Sequence, residues 1–213
     1  MEIKKAPFSI YAETTPNPAV MKFVANKRII EGDSMEFKNV EEAKPSPLIT
    51  QLFHLPFVKE VFVSGNYLSI AKFDIIEWDE VAQEVRQMIT EYLQSGKPLI
   101  DESVVKKAQP EFADPAASTN INQASGFQLP DPESLGEIET RIVEILDEYI
   151  APAVESDGGA IRFMGYEDGK VKVLLQGACS GCPSSTATLQ NGILNLLQKM
   201  LPTLVKEVEP VNG

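Results

Sequence analysis

Cys179 and Cys182 are the only cysteines in a chain of 213 residues. They stand three positions apart in LLQGACSGCPSSTATLQNG, residues 174–192. Thiols at this spacing can form a reversible disulfide, attack as a nucleophile or ligate a soft metal. Pro183 suits the first position of a helix, which makes Cys182 its N-cap. The unpaired N–H groups and the dipole at a helix start favour thiolate over thiol, so depressed pKa values are expected for both cysteines. Gly177 and Gly181 let the backbone come close to whatever the sulfurs hold, and Ala178 and Ser180 add little bulk.

Three readings of the pair compete on the motif alone. The cysteines can be turn residues without chemistry. They can form a thiol–disulfide oxidoreductase site, although such a CxxC usually sits in a βαβ context, and here it follows what reads as an antiparallel hairpin. Or they can bind metal. A tetrahedral zinc site or a cubane iron–sulfur cluster takes about four thiolates, and this chain has two. His54, the single histidine, lies far away in QLFHLPF and reads as a helix-end residue. A full ligand set therefore needs two chains, and the redox and cluster readings both stay open.

The elements that must position the pair form the second half of the chain. Ser134-Leu-Gly-Glu137 reads as a capping box. Ile138, Ile142, Ile145, Leu146, Tyr149 and Ile150 continue it as an amphipathic helix, with Pro152 expected just past its end. AIRFMGY (Ala160–Tyr166) and KVKVLLQ (Lys170–Gln176) alternate as strands around the turn Glu167-Asp168-Gly169. Leu189, Ile193, Leu196, Leu197 and Met200 mark a second long helix that Pro202 stops, and LVKEV (Leu204–Val208) reads as a closing strand. The order is α-β-β-α-β, with both cysteines in the strand-to-helix connection.

Upstream, VMKFV (Val20–Val24), VKEVFV (Val58–Val63) and YLSIAKF (Tyr67–Phe73) read as strands. The last two are joined by Ser64-Gly65-Asn66, a short hairpin link. SPLITQLF (Ser46–Phe53) reads as a short helix with Pro47 in its first turn. A longer one runs from about Asp79 to Gln94, with Val81, Val85, Met88, Ile89 and Tyr92 on one face and Gly96 at its end. Between the halves, residues 101–134 hold four prolines and many small polar residues without a period, the composition of a flexible linker. The expected fold class is α+β: two small layered domains, residues 1–100 and 135–213, joined by residues 101–134.

The net charge of −12 is spread along the chain, with 11 basic and 14 acidic groups in residues 1–100, 2 and 6 in residues 101–134, and 6 and 11 in residues 135–213. With no basic segment, neither nucleic acid nor an anionic membrane is an expected partner. No apolar run approaches the ~20 residues of a membrane helix. MEIKKAPFSIYAETTPNP has no apolar h-region, so no secretory signal is expected. The expected location is the cytoplasm, or an organelle matrix after removal of a transit peptide, where a close cysteine pair is more often metal-binding or catalytic than a structural disulfide.

The longer run around the cysteines narrows the choice. Ala153-Val154-Glu155-Ser156-Asp157-Gly158-Gly159 before the first strand, followed by GYEDGKVKVLLQGACSGCPSSTATLQNGI through Ile193, resembles the Nfu-type (NifU-like) iron–sulfur cluster carriers. ETTPNPAVMKFV, SPLITQLF and VKEVFVSGNYLSIAKF resemble the N-terminal domain of the same family. The resemblance covers both domains and implies that Cys179 and Cys182 bind a [4Fe–4S] cluster bridged between two protomers of a homodimer. It implies a carrier rather than an enzyme, one that accepts a cluster from an upstream assembly scaffold and delivers it to apo-proteins. A [2Fe–2S] cluster takes the same four thiolates, so the ligand count leaves the two open. Some wider relatives carry an additional cysteine-bearing scaffold domain; this chain has no cysteine before residue 179. Its N-terminal domain, without an evident ligand set, is expected to dock clients or partners, and Asp157-Gly158-Gly159 is expected to serve the site through backbone shape.

Overall fold

The computed structural model describes residues 7–100, 136–180 and 183–212. They form two compact units of mixed α and β structure. The expected linker, residues 101–134, lies outside the described residues, as do Ser134 and Cys182.

The first unit runs β1 (Ile10–Thr14), β2 (Val20–Ala25), β3 (Met35–Phe37), α1 (Pro47–Phe53), β4 (Val58–Ser64), β5 (Tyr67–Lys72) and α2 (Trp78–Gln94). The strands make one antiparallel sheet in the order β1-β2-β5-β4-β3. The three expected strands, the hairpin at Gly65 (φ 48°) and both helices are all present. Ser46 caps α1, its Oγ accepting from Ile49 N–H at 3.4 Å, and Pro47 needs no hydrogen-bond donor in that first turn. Phe23, Val61, Val63, Leu68 and Ile70 meet Leu48, Ile49 and Leu52 of α1 and Val81, Val85 and Ile89 of α2 in one core. Trp78 packs edge-on against Phe23 and Phe57 at the start of α2.

Two strands here escaped the sequence pattern. β3 is three residues long, too short to display a period. β1 carries Glu13 and Thr14 toward its end and only Ile10 is buried, as suits an edge strand with little apolar signal.

The second unit runs α3 (Glu137–Ile145), a π-helical turn (Leu146–Ile150), α4 (Ala151–Ser156), β6 (Gly159–Glu167), β7 (Lys170–Gly177), α5 (Pro183–Met200) and β8 (Glu207–Asn212). β6 and β7 form an antiparallel hairpin closed at Asp168 (φ 51°) and Gly169 (φ 89°), the backbone of a two-residue primed turn. β8 joins β7 in parallel, which requires a crossover, and α5 supplies it. Ile142, Ile145 and Leu146 pack with Ile161, Phe163, Val171, Val173, Leu175, Ile193 and Leu197.

Three expectations are corrected in this unit. Pro152 does not follow the end of the first helix but lies in the first turn of α4, directly after a π-helical turn, and helical structure continues to Ser156. The described cap is Gly136, whose N–H donates to Glu139 Oε2 at 2.8 Å, so α3 starts at Glu137. The closing strand begins at Glu207 and not at Leu204. Leu204 is still turning back onto Leu201, and only the N–H groups of Lys206 and Glu207 reach the Gly169 carbonyl to start the ladder.

Candidate metal centre

The region around Cys179 is built where β7 stops. Gly177 has φ 65°, a left-handed conformation that glycine adopts without strain and that turns the chain off the strand. Ser180 closes this turn twice, its N–H and its Oγ donating to the Gly177 carbonyl at 3.1 and 2.9 Å. Ala178 N–H donates to the Gly158 carbonyl at 3.2 Å, tying the turn to the end of α4. From α5, Thr186 Oγ1 donates to the Cys179 carbonyl at 3.3 Å. Strand, helix end and following helix thus all hold the backbone of residues 177–180.

Asp157-Gly158-Gly159 shapes the opposite wall. Gly158 (φ 83°) lies in the turn between α4 and β6. Gly159 pairs with Gly177 across the hairpin and lies against Cys179. A β-carbon at Gly159 would stand 2.6 Å from the Gln176 carbonyl oxygen and 2.8 Å from Cys179 Sγ. No such carbon fits without moving backbone, so glycine is a requirement of the packing. The triplet thus shapes the backbone against which Cys179 packs.

Cys179 is only 7% exposed, and its thiol is pushed up to about 11, first by burial and then by the nearby Asp157 carboxylate. This corrects the expectation of a depressed value for Cys179. The helix-start effect is confined to the first turn, and α5 begins only at Pro183, four residues on. At Cys179 desolvation dominates. Pro183 does open α5 as expected, while Cys182 itself lies outside the described residues. His54 caps the C-terminal end of α1 in the other unit. Among the described residues no three or more histidine, cysteine, aspartate or glutamate side chains converge on a metal-sized site, and no helix is long and apolar enough to cross a membrane.

Two contributors were not read from the sequence. Thr186 carried a signal, a hydroxyl residue in the first turn of the helix after the CxxC. Gln176, whose carbonyl bounds Gly159, carried none, because its part is played by backbone.

Residues 10–96 match the family model described as scaffold protein Nfu/NifU N terminal, and residues 142–209 match the NifU-like domain. The protein named NFU1 iron-sulfur cluster scaffold homolog, mitochondrial, is 37% identical in Drosophila virilis over 99% of this chain and 64% of its own length. The same-named protein of Drosophila persimilis is 36% identical over 98% of this chain and 67% of its own length. The chain belongs to the Nfu/NifU family. It spans 64% of the length of the first of these relatives. A solution NMR structure of a NifU-like protein from Saccharomyces cerevisiae is similar over 48% of this chain and 92% of its own, at 24% identity and a TM-score of 0.42.

Proposed function

We propose that the chain is a non-enzymatic iron–sulfur cluster scaffold and carrier. Cys179 and Cys182 from each of two copies hold a [4Fe–4S] cluster that bridges a homodimer, receive it from an upstream assembly scaffold and pass it to apo-proteins. The observation that carries this reading is the ligand arithmetic at a built site. Each chain offers two thiols, among the described residues no three or more histidine, cysteine, aspartate or glutamate side chains come together, and Cys179 is seated against a glycine that leaves its sulfur room. A cluster of four thiolates then needs a second copy, and an isologous pair of sites is the simplest closed arrangement. The name of those relatives, an iron–sulfur cluster scaffold homolog, points the same way.

The chain's own part is to hold and to let go. The turn at residues 177–180 is fixed from three sides, so the backbone of Cys179 is set before cargo arrives. Binding must displace the Cys179 proton, and the Asp157 carboxylate beside it adds repulsion toward an anionic ligand set, as suits a site that hands its cargo on. Burial of Cys179 also weighs against the oxidoreductase alternative, in which the attacking thiol is exposed and of low pKa. The N-terminal domain, residues 1–100, serves as the docking module for clients or partners. Of the two compartments considered, the relatives' naming as mitochondrial favours an organelle matrix.

Anaerobic reconstitution with iron and sulfide tests the proposal. The full chain should turn brown and become dimeric, with about four irons per dimer. A Cys182→Ala variant that stayed dimeric with a full complement of iron would sink it. Colourless metal binding would instead point to zinc, and about two irons per dimer to [2Fe–2S].

A further inference from the structure

The N-terminal domain has an open sheet edge beside a helix, with a cation between them. β1 is an outer strand of its sheet. The Ser9 carbonyl accepts from Asn26 N–H at 3.0 Å, so the peptide groups of Ser9 and, by antiparallel alternation, of Tyr11 and Glu13 face β2. The register pairs Tyr11 with Val24 and Glu13 with Lys22. The N–H and C=O groups of Ile10, Ala12 and Thr14 therefore point outward, along the edge.

Beside this edge lies a groove of about 430 Å³, with Ser9 and Ile10 on the strand side and Arg86, Gln87 and Thr90 of α2 opposite. Ile10 is buried at its base and Arg86 is half-buried on its wall. The neighbouring acid, Glu91, already accepts from Gln87 Nε2 at 2.8 Å. Arg86 forms none of the ion pairs found among the described residues. An outward ladder of peptide groups next to a planar, half-desolvated cation fits an extended segment carrying a carboxylate.

We propose that the groove between β1 and α2 binds an extended acidic segment of a partner protein by strand addition to β1, with Arg86 pairing its carboxylate. This names the mode and chemistry of the docking assigned above to the N-terminal domain. Its success or failure is read on metal-free protein, separately from cluster binding. Main-chain hydrogen bonds to Ile10, Ala12 and Thr14 supply the affinity, and Arg86 selects a carboxylate.

The test uses the full-length apo chain and a labelled seven-residue peptide of alternating valine and threonine with a central glutamate. Fluorescence anisotropy should show binding that weakens about tenfold with Arg86→Gln, or when the peptide's glutamate is replaced by glutamine. Ala12→Pro removes an outward N–H without breaking a bond to β2, so the fold should survive while binding is lost. NMR shifts on binding should fall on Ile10, Ala12, Thr14 and Arg86. No binding up to about 1 mM, equal binding by Arg86→Gln, or shifts elsewhere would overturn the proposal. So would apo dimers that Ala12→Pro converts to monomers, because the edge would then belong to a second copy. Arg86→Gln should leave reconstituted iron unchanged. Loss of iron binding in the cysteine variants alongside intact peptide binding would concern only the cluster.

Discussion

Gly159 lies so close under Cys179 that a β-carbon on it would sit 2.8 Å from the sulfur. The same carbon would meet the Gln176 carbonyl at 2.6 Å, and that backbone is locked in the β6–β7 ladder. Gly159→Ala should therefore destabilise the C-terminal domain by about 1–3 kcal/mol, the usual cost of overpacking. The expected readouts are a Tm lower by several degrees and a reduced iron content after reconstitution. Gly192→Ala is the control. Nothing lies within 4 Å of a β-carbon there and the residue is inside α5, so stability should rise by about 0.5–1 kcal/mol.

In the metal-free protein Cys179 should alkylate slowly. With its thiol pushed up to about 11, roughly one molecule in a thousand carries the thiolate at pH 8. Iodoacetamide labelling followed by peptide mapping should show a Cys179 rate that climbs up to about pH 11. Because the folded value lies above that of an unfolded thiol, the folded state binds the extra proton, and stability should fall as pH rises from 9 toward 11. A labelling midpoint near pH 8 would contradict the burial seen here.

Asp157→Asn should speed that labelling by less than tenfold, because burial is the larger cause of the shift and the carboxylate the smaller. Rates measured side by side at pH 8 check this. A larger acceleration would make the carboxylate the dominant influence.

Thr186→Val removes the hydroxyl that donates to the Cys179 carbonyl at nearly constant volume. The expected loss is about 0.5–1.5 kcal/mol, measured by denaturant melting of the apo protein. Faster loss of iron to a chelator should accompany it.

Ser46→Ala deletes the buried cap of α1, whose Oγ accepts from Ile49 N–H. About 1 kcal/mol of N-terminal domain stability should go with it. Iron content after reconstitution should not change.

Much of this was legible in the residues. Strong periods, such as Val81, Val85 and Ile89 in α2, and turn residues, such as Asp168-Gly169, located most elements within a few residues, while β1 and β3 carried too little pattern to be read. The other failures lie where local rules meet a longer-range partner. Pro152 signals a helix end, yet a π-helical turn before it lets helical structure continue to Ser156. Leu204–Val208 has strand composition throughout, but only from Glu207 onward does the chain lie beside β7.

The sequence by itself determined the order of elements, the two-thiol ligand count and the family resemblance, because periodicity, turn chemistry and motif spacing are local properties. Only the tertiary structure decided the state of Cys179. Its burial against Gly159, with Asp157 nearby, turned an expected thiolate into a protonated thiol. The physical reason is that desolvation depends on what the rest of the chain packs around a group, and residues 157–159 reach Cys179 only through the pairing of β6 with β7.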